Sequence, residues 1–222
     1  MEIYSVPLGI TQCYLIRDKG TILVDCGPPG QIDSFLKGAQ RASIDPRQVD
    51  LIIQTHGHSD HIGSAKAIKH VTGAKIAMHD PDREWLEQSL SPVPPGVTAW
   101  GRILVSVMSL YTRTMTFPET KVEVLLPDED FPLEPFGIAG KVVYTPGHTM
   151  GSVSVLLDTG DAFTGDLVMN RIPLSFGPGF PFLAEDIEKV KTSCRLLLDY
   201  GAKTFYPGHG KPFPAEAIRR LL

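Results

Sequence analysis

Val49-Asp50-Leu51-Ile52-Ile53-Gln54 is a near-continuous apolar run, and it stops abruptly at Thr55-His56-Gly57-His58-Ser59-Asp60-His61. A short apolar run of this kind reads as a strand buried on both faces. The segment after the cluster, 64–71, suits a helix, so the titratable residues sit on a strand-to-helix turn. Three histidines and an aspartate within six residues have no evident packing purpose. Their mutual repulsion and desolvation would be costly unless a cation balanced them. An isolated histidine is more often a hydrogen-bonded surface or core residue, but that explanation fails for the cluster as a whole. His56 and His58 can face one point if the backbone between them is extended or turned, while Asp60 and His61 aim elsewhere. One short turn can thereby serve two neighbouring metal ions.

Three further segments repeat the pattern of a candidate ligand at a strand end beside glycine: Thr145-Pro146-Gly147-His148-Thr149, Thr164-Gly165-Asp166 and Tyr206-Pro207-Gly208-His209-Gly210. Each alone is a weak signal, since a histidine in a Pro-Gly turn is often a mere loop residue. Together they place five of the seven histidines on loops after strands. His70 reads as a helix-face residue and His79 as the N-terminal flank of a helix, both structural.

Outward from these loops, residues 2–6, 11–17 and 20–25 read as short strands, and 31–42 as a helix carrying Ile32, Phe35, Leu36 and Ala39 on one face. Strands are expected near 74–78, 121–126, 141–145, 152–158, 161–165 and 203–206, with helices over 185–199 and 215–221. Two mixed halves whose sheets could face each other follow from that order. No repeat or polar linker divides the chain, which reads as one domain, 1–222, with a helical insertion at about 80–117. Within it, Trp100, Ile103, Leu104, Val107, Met108, Tyr111 and Met115 form one apolar stripe. Packing on the core is the plain explanation. A cap over a pocket, or a homodimer contact through the 96–116 helix, is the functional one.

Composition narrows the partners. Of 222 residues, 42% are apolar and 21% charged, and the net charge of −4 gives nucleic acid phosphates no basic surface to meet. Cys13, Cys26 and Cys194 are odd in number and far apart, so a disulfide framework or a cysteine zinc site is not expected. No signal-peptide pattern and no apolar stretch of ~20 residues is visible. The expectation is a cytoplasmic protein with a small-molecule substrate and neither nucleic acid nor membrane as partner.

His-x-His-x-Asp-His, then Pro-Gly-His-Thr, Gly-Asp and Pro-Gly-His-Gly, together resemble the motifs of the metallo-β-lactamase-fold hydrolase superfamily, over essentially the whole chain. The resemblance implies an α/β (α+β) fold, a four-layer αββα sandwich of two mixed β-sheets flanked by helices. It implies that His56, His58 and His148 hold one metal ion, that Asp60, His61 and His209 hold a second, and that Asp166 bridges both, with Asp60 and Asp166 as the catalytic acids. Asp25, in Leu23-Val24-Asp25-Cys26-Gly27, matches an acid that supports the ligand loop without binding metal. With no cysteine among the ligands, the set looks more like the glyoxalase II and lactonase branches than the antibiotic-hydrolysing lactamases. The loop after Asp166 is apolar, however, where short glyoxalase II forms carry a Gly-Arg-rich one.

Imidazole and carboxylate donors suit two Zn2+, with Mn2+ or Fe2+ as alternatives. Such a pair lowers the pKa of a bound water and polarises a carbonyl, which points to cleavage of a thioester, lactone or ester. Rival readings within the same fold are a mononuclear non-haem iron persulfide dioxygenase, a phosphodiesterase and a β-lactam hydrolase. Phe176, Phe180 and Phe182, on the loop after Asp166, are candidates for an apolar substrate wall, against the plainer possibility that they plug the sheet edge.

Overall fold

The computed structural model describes residues 1–99, 101–103, 105, 116–170 and 177–222. Its first half opens as an antiparallel meander of β1 (Glu2–Leu8), β2 (Thr11–Arg17) and β3 (Thr21–Val24). From β3 the sheet continues in parallel through β4 (Leu51–Ile53), β5 (Lys75–His79) and β6 (Val124–Leu126), giving the order β1-β2-β3-β4-β5-β6. Parallel neighbours need crossovers, and these carry helices α1 (Ile32–Arg41), α2 (Ser59–Ile62), α3 (Ala65–Thr72) and α4 (Asp80–Glu87).

The second half contributes β7 (Phe131–Pro132), β8 (Gly140–Tyr144), β9 (Val153–Leu157) and β10 (Asp161–Gly165). A small ribbon, β11 (Met169–Asn170) with β12 (Pro178–Gly179), and helix α5 (Ile187–Asp199) follow. β13 (Thr204–Pro207), β14 (Phe213–Pro214) and the short helix α6 (Glu216–Arg219) come last. The second sheet has the order β14-β13-β10-β9-β8-β7, antiparallel except where β10 and β13 run side by side.

Side-chain alternation along these strands sorts the interior into three apolar clusters, and the clusters define the layers. Ile16, Ile22, Leu51, Ile53 and Ala77 from the first sheet meet Val142, Val153, Val155, Leu157 and Phe163 from the second. Their neighbours Leu15, Leu23, Ile52, Ile76 and Met78 face the other way, onto Phe35 and Ala39 of α1 and Ile68 of α3. On the far side, Val143, Leu156, Ala162 and Phe205 turn outward onto Val190, Cys194, Leu197 and Leu198 of α5. Helix, sheet, sheet, helix is the sandwich expected from the motifs. Each fully buried Ile, Leu or Phe in it contributes about 1.5–3 kcal/mol of apolar transfer energy.

Local signals explain the helix ends. Asp186 caps α5 by accepting from the backbone N–H groups of Glu188 and Lys189. α3 stops at Gly73, which takes the left-handed conformation (φ 73°) a terminal residue needs.

The helical insertion expected at about 80–117 is described only in part. Its start is α4, with a proline in the first turn, two acids there, and His79 at the N-terminal flank. Most of the apolar stripe (Trp100, Leu104, Val107, Met108, Tyr111 and Met115) lies outside the described residues. Ile103, which is described, is exposed. Strands β7, β11, β12 and β14 were not expected from sequence.

Candidate metal centre

Every candidate ligand stands just beyond the C-terminal end of a strand, where the two sheets meet along one edge. The turn after β4 carries His56 and His58, and α2 begins at Ser59, so Asp60 and His61 occupy its single turn. His148 follows β8, Asp166 follows β10 and His209 follows β13. The two halves are sewn together at this edge. Val153 N–H donates to the Thr55 carbonyl at 2.8 Å, and Gln12 N–H donates to the Gly208 carbonyl at 2.7 Å. Gly165 (φ 50°) is required for the approach, because a Cβ there would lie 2.4 Å from the Thr55 hydroxyl.

All seven residues come together. His56, His58 and His148 form one group. His56, His61 and Asp166 form a second, and Asp60, His61 and His209 a third, each with donor atoms within 4.8 Å of one another. Sharing of His56 and His61 between groups makes the three clusters one continuous centre. Asp166 lies at its middle: Oδ1 is 3.3 Å from His61 Nε2, and Oδ2 is 3.3 Å from His209 Nε2 and 3.7 Å from His148 Nε2. Asp60 Oδ2 is 3.1 Å from His209 Nε2. Six of the seven are buried, and Asp60 is partly so.

Outer partners fix which ring nitrogen faces inward. His61 Nδ1 lies 2.9 Å from the Asp25 carboxylate. His148 Nδ1 is 3.0 Å from the Leu183 carbonyl, and His209 Nδ1 is 3.1 Å from the Ile10 carbonyl. His56 Nδ1 is 3.1 Å from the Thr55 hydroxyl, which itself donates to Asp25. An acceptor at Nδ1 places the proton there and leaves the Nε2 lone pair pointing into the centre. Only His58 is reversed, with Nδ1 2.9 Å from His148 Nε2 and its ring stacked on Trp85 at 5.7 Å.

Asp25 is buried beside the candidate ligands. It holds His61 directly and His56 through Thr55, from a backbone with a positive φ of 61°.

The donor set fits a cation. Among the described residues, the buried atoms His56 Nε2, His61 Nε2 and Asp166 Oδ1 have no hydrogen-bond partner, a costly condition inside a protein that a metal ion would relieve. Electrostatics divide the centre in two. Burial, and then neighbouring histidines, hold His56 well below the usual imidazole range and pull His58 down to about 3. Burial lowers His148 as well. For His61 and His209, burial is outweighed by the carboxylates around Asp166. His61 lies well above its ordinary value, and His209 is pushed up to about 10. Burial of Asp60 and Asp166 is in turn outweighed by those two histidines, so both carboxyls lie below their ordinary range.

His79 is buried against Asp128 at 2.9 Å and stacked on Tyr144, away from the centre. Phe180 is half-buried against the outer cluster of the second sheet, and Phe182 adjoins Leu183, the residue whose carbonyl holds His148. Phe176 lies outside the described residues. Sequence reasoning gave no role to Thr55, Trp85, the carbonyls of Ile10 and Leu183, or Asp82, which accepts from the Gly57 N–H. For Thr55 alone a signal was available, its place directly before the motif.

Fold and ligand pattern together define a class, and the chain belongs to the metallo-beta-lactamase superfamily, whose model matches residues 6–209. Members of this superfamily are mostly metal-dependent hydrolases. An uncharacterized protein of Mycobacterium leprae is 31% identical, with 100% of this chain and 97% of the relative covered. A probable metallo-hydrolase of Methanocaldococcus jannaschii is 26% identical over 89% of this chain and 86% of its own length. Among solved structures, an archaeal metallo-beta-lactamase superfamily protein from Sulfolobus tokodaii superposes with a TM-score of 0.72 at 22% identity, covering 99% of this chain and 84% of that one. No helix among the described residues is long and apolar enough to cross a membrane.

Proposed function

We propose that this chain is a dinuclear metal hydrolase of a small carbonyl compound (a thioester, lactone or ester) and that zinc is its ordinary metal. The observation that carries the reading is the continuity of the three ligand groups through His56, His61 and Asp166, which supports two adjacent ions rather than one. His56, His58 and His148 would hold the first, Asp60, His61 and His209 the second, with Asp166 between them. Such a pair, when bound, supplies hydroxide near neutral pH and a Lewis acid for the carbonyl.

The chain's own groups prepare the rest. Asp25, Thr55 and the carbonyls of Ile10 and Leu183 keep four imidazoles in the tautomer that presents Nε2. Asp60 is the partly exposed carboxylate of the centre, placed to accept the proton lost by an attacking water. Ile10, at the β1–β2 turn, is 72% exposed while its carbonyl holds His209, so an apolar side chain stands at the rim. A thiolate or alkoxide leaves more readily than an amide nitrogen, which favours esters, thioesters and lactones over peptides.

Metal analysis with a turnover screen of the zinc-loaded protein tests this. About two zinc ions per chain and hydrolysis of a thioester or lactone are expected. About one iron per chain with oxygen uptake on a persulfide would replace this reading with the mononuclear oxygenase. Selective turnover of β-lactams or phosphodiesters would move the substrate class.

A further inference from the structure

The three-histidine group is assembled from two loops belonging to different sheets, and one carboxylate outside the ligand set joins them. Asp82, in the first turn of α4, is 1% exposed. Its Oδ2 accepts from the Gly57 N–H at 2.8 Å and from the Thr149 hydroxyl at 2.7 Å, and its Oδ1 accepts from the Gly151 N–H at 3.1 Å. Gly57 separates His56 from His58, and Thr149 follows His148, so the groups that Asp82 holds are the covalent neighbours of all three ligands. The fit leaves no slack. A Cβ on Gly57 would lie 2.5 Å from the Trp85 ring, and one on Gly151 would lie 2.5 Å from the Asp82 carboxyl carbon. Ser152 completes the chain: its hydroxyl accepts from Thr149 N–H at 3.0 Å and lies 2.9 Å from the Thr149 hydroxyl, fixing that hydroxyl toward Asp82. A buried carboxylate with three short donors sets geometry more firmly than neutral contacts do.

We infer that Asp82 is the positioning residue of the three-histidine metal site, clamping the His56–His58 turn to the His148 loop so that the three nitrogens converge before an ion arrives. The inference rests on the dinuclear reading above. In Asp82→Asn the amide keeps the volume but turns an N–H2 toward one of the donors, so one contact becomes repulsive. Thr149→Val removes a single hydroxyl at nearly constant shape, and Thr149→Ser restores it.

The test is cobalt titration of the metal-free full-length protein against a competing chelator, following the visible d–d bands, with the melting temperature of each metal-free form measured alongside. Wild type should take two Co2+. Asp82→Asn should weaken one of the two sites about 10–100-fold and alter its band, leaving the other within about twofold. Thr149→Val should show the same change at smaller amplitude, and Thr149→Ser should recover the wild-type spectrum. Should Asp82→Asn fold poorly, the Thr149 pair decides the matter alone. Wild-type affinities and bands in Asp82→Asn and Thr149→Val, or equal loss at both sites tracking the melting temperature, would overturn the inference while leaving the dinuclear centre intact. A wild-type protein that takes fewer than two cobalt ions would overturn both.

Discussion

The two groups of candidate ligands differ in composition and are held by opposite means: His56, His58 and His148 are all imidazoles, whereas Asp60 joins His61 and His209. Around His56, His58 and His148 there is little charge: burial keeps the imidazoles neutral, and their orientation comes from hydrogen bonds to a hydroxyl, a carbonyl and a neighbouring ring. Around His61 and His209, the carboxylates of Asp25, Asp60 and Asp166 crowd the rings and raise both imidazoles. A neutral set binds a cation without first losing protons. An acid-rich set attracts it more strongly but must give protons up. Asp166 lies between them, near His61, His148 and His209, so the difference between the halves can be probed through it and on either side of it.

Asp166→Ala removes the shared element and should have the largest effect. Occupancy should fall below two ions, and kcat/KM should drop about 10³-fold, the equivalent of several kcal/mol. A variant that keeps two ions and full turnover would break the bridging assignment. Separating the halves comes next. His58→Ala should empty the three-histidine site, and His209→Ala the acid-rich one, each leaving one ion measurable by elemental analysis. Loss of both ions in both variants would mean that the halves are a single cooperative unit.

Proton competition sharpens the contrast. The carboxylates around His61 and His209 raise both imidazoles, so protons compete with a metal for their inward nitrogens, and each unit of acidification makes that competition harder. With His58 drawn down to about 3, the three-histidine site has no such competitor between pH 8 and 5. Lowering the pH across that range should release the acid-rich ion first, with the three-histidine ion retained. Release in the opposite order, followed by dialysis and metal assay, would reverse the comparison. Asp25→Ala should weaken the acid-rich site about 10–100-fold, because His61 leans on that carboxylate directly, and should touch His56 less, because Thr55 intervenes. The smallest effect concerns the rim. Ile10→Ala, at a side chain that is 72% exposed, should lower kcat/KM for apolar substrates only about 2–5-fold with metal content unchanged, whereas Phe180→Ala should lower the melting temperature and spare kcat/KM.

Much of this centre was legible in the sequence because its ligands are written locally. A buried strand followed by glycine- or proline-bearing turns marks each of the four loops, and the first loop alone holds four candidates. Asp82 was not legible. An aspartate in the first turn of a helix is ordinary dipole chemistry, and its three partners lie 25, 67 and 69 residues away. The Ile10 and Leu183 carbonyls that orient His209 and His148 carry no side-chain signature at all. In the fold, the long strands announced themselves by alternation. β7, β11, β12 and β14, at two residues each, are shorter than any periodicity can register. α4, by contrast, falls at the start of the helical insertion expected at about 80–117, directly after the flanking His79.

The hydrogen bond from His209 to the Ile10 carbonyl spans 199 residues of chain, and this separation orders events on the ribosome. As synthesis proceeds from the amino end, the turn bearing His56, His58, Asp60 and His61 emerges early, but with a partial ligand set. His148 completes the neutral site while much of the second sheet is still to be made. His209, the last of the seven candidates in chain order, then docks against the turn between β1 and β2. The His56–His58–His148 group is thus complete in chain order well before His209, the candidate whose imidazole leans on the β1–β2 turn.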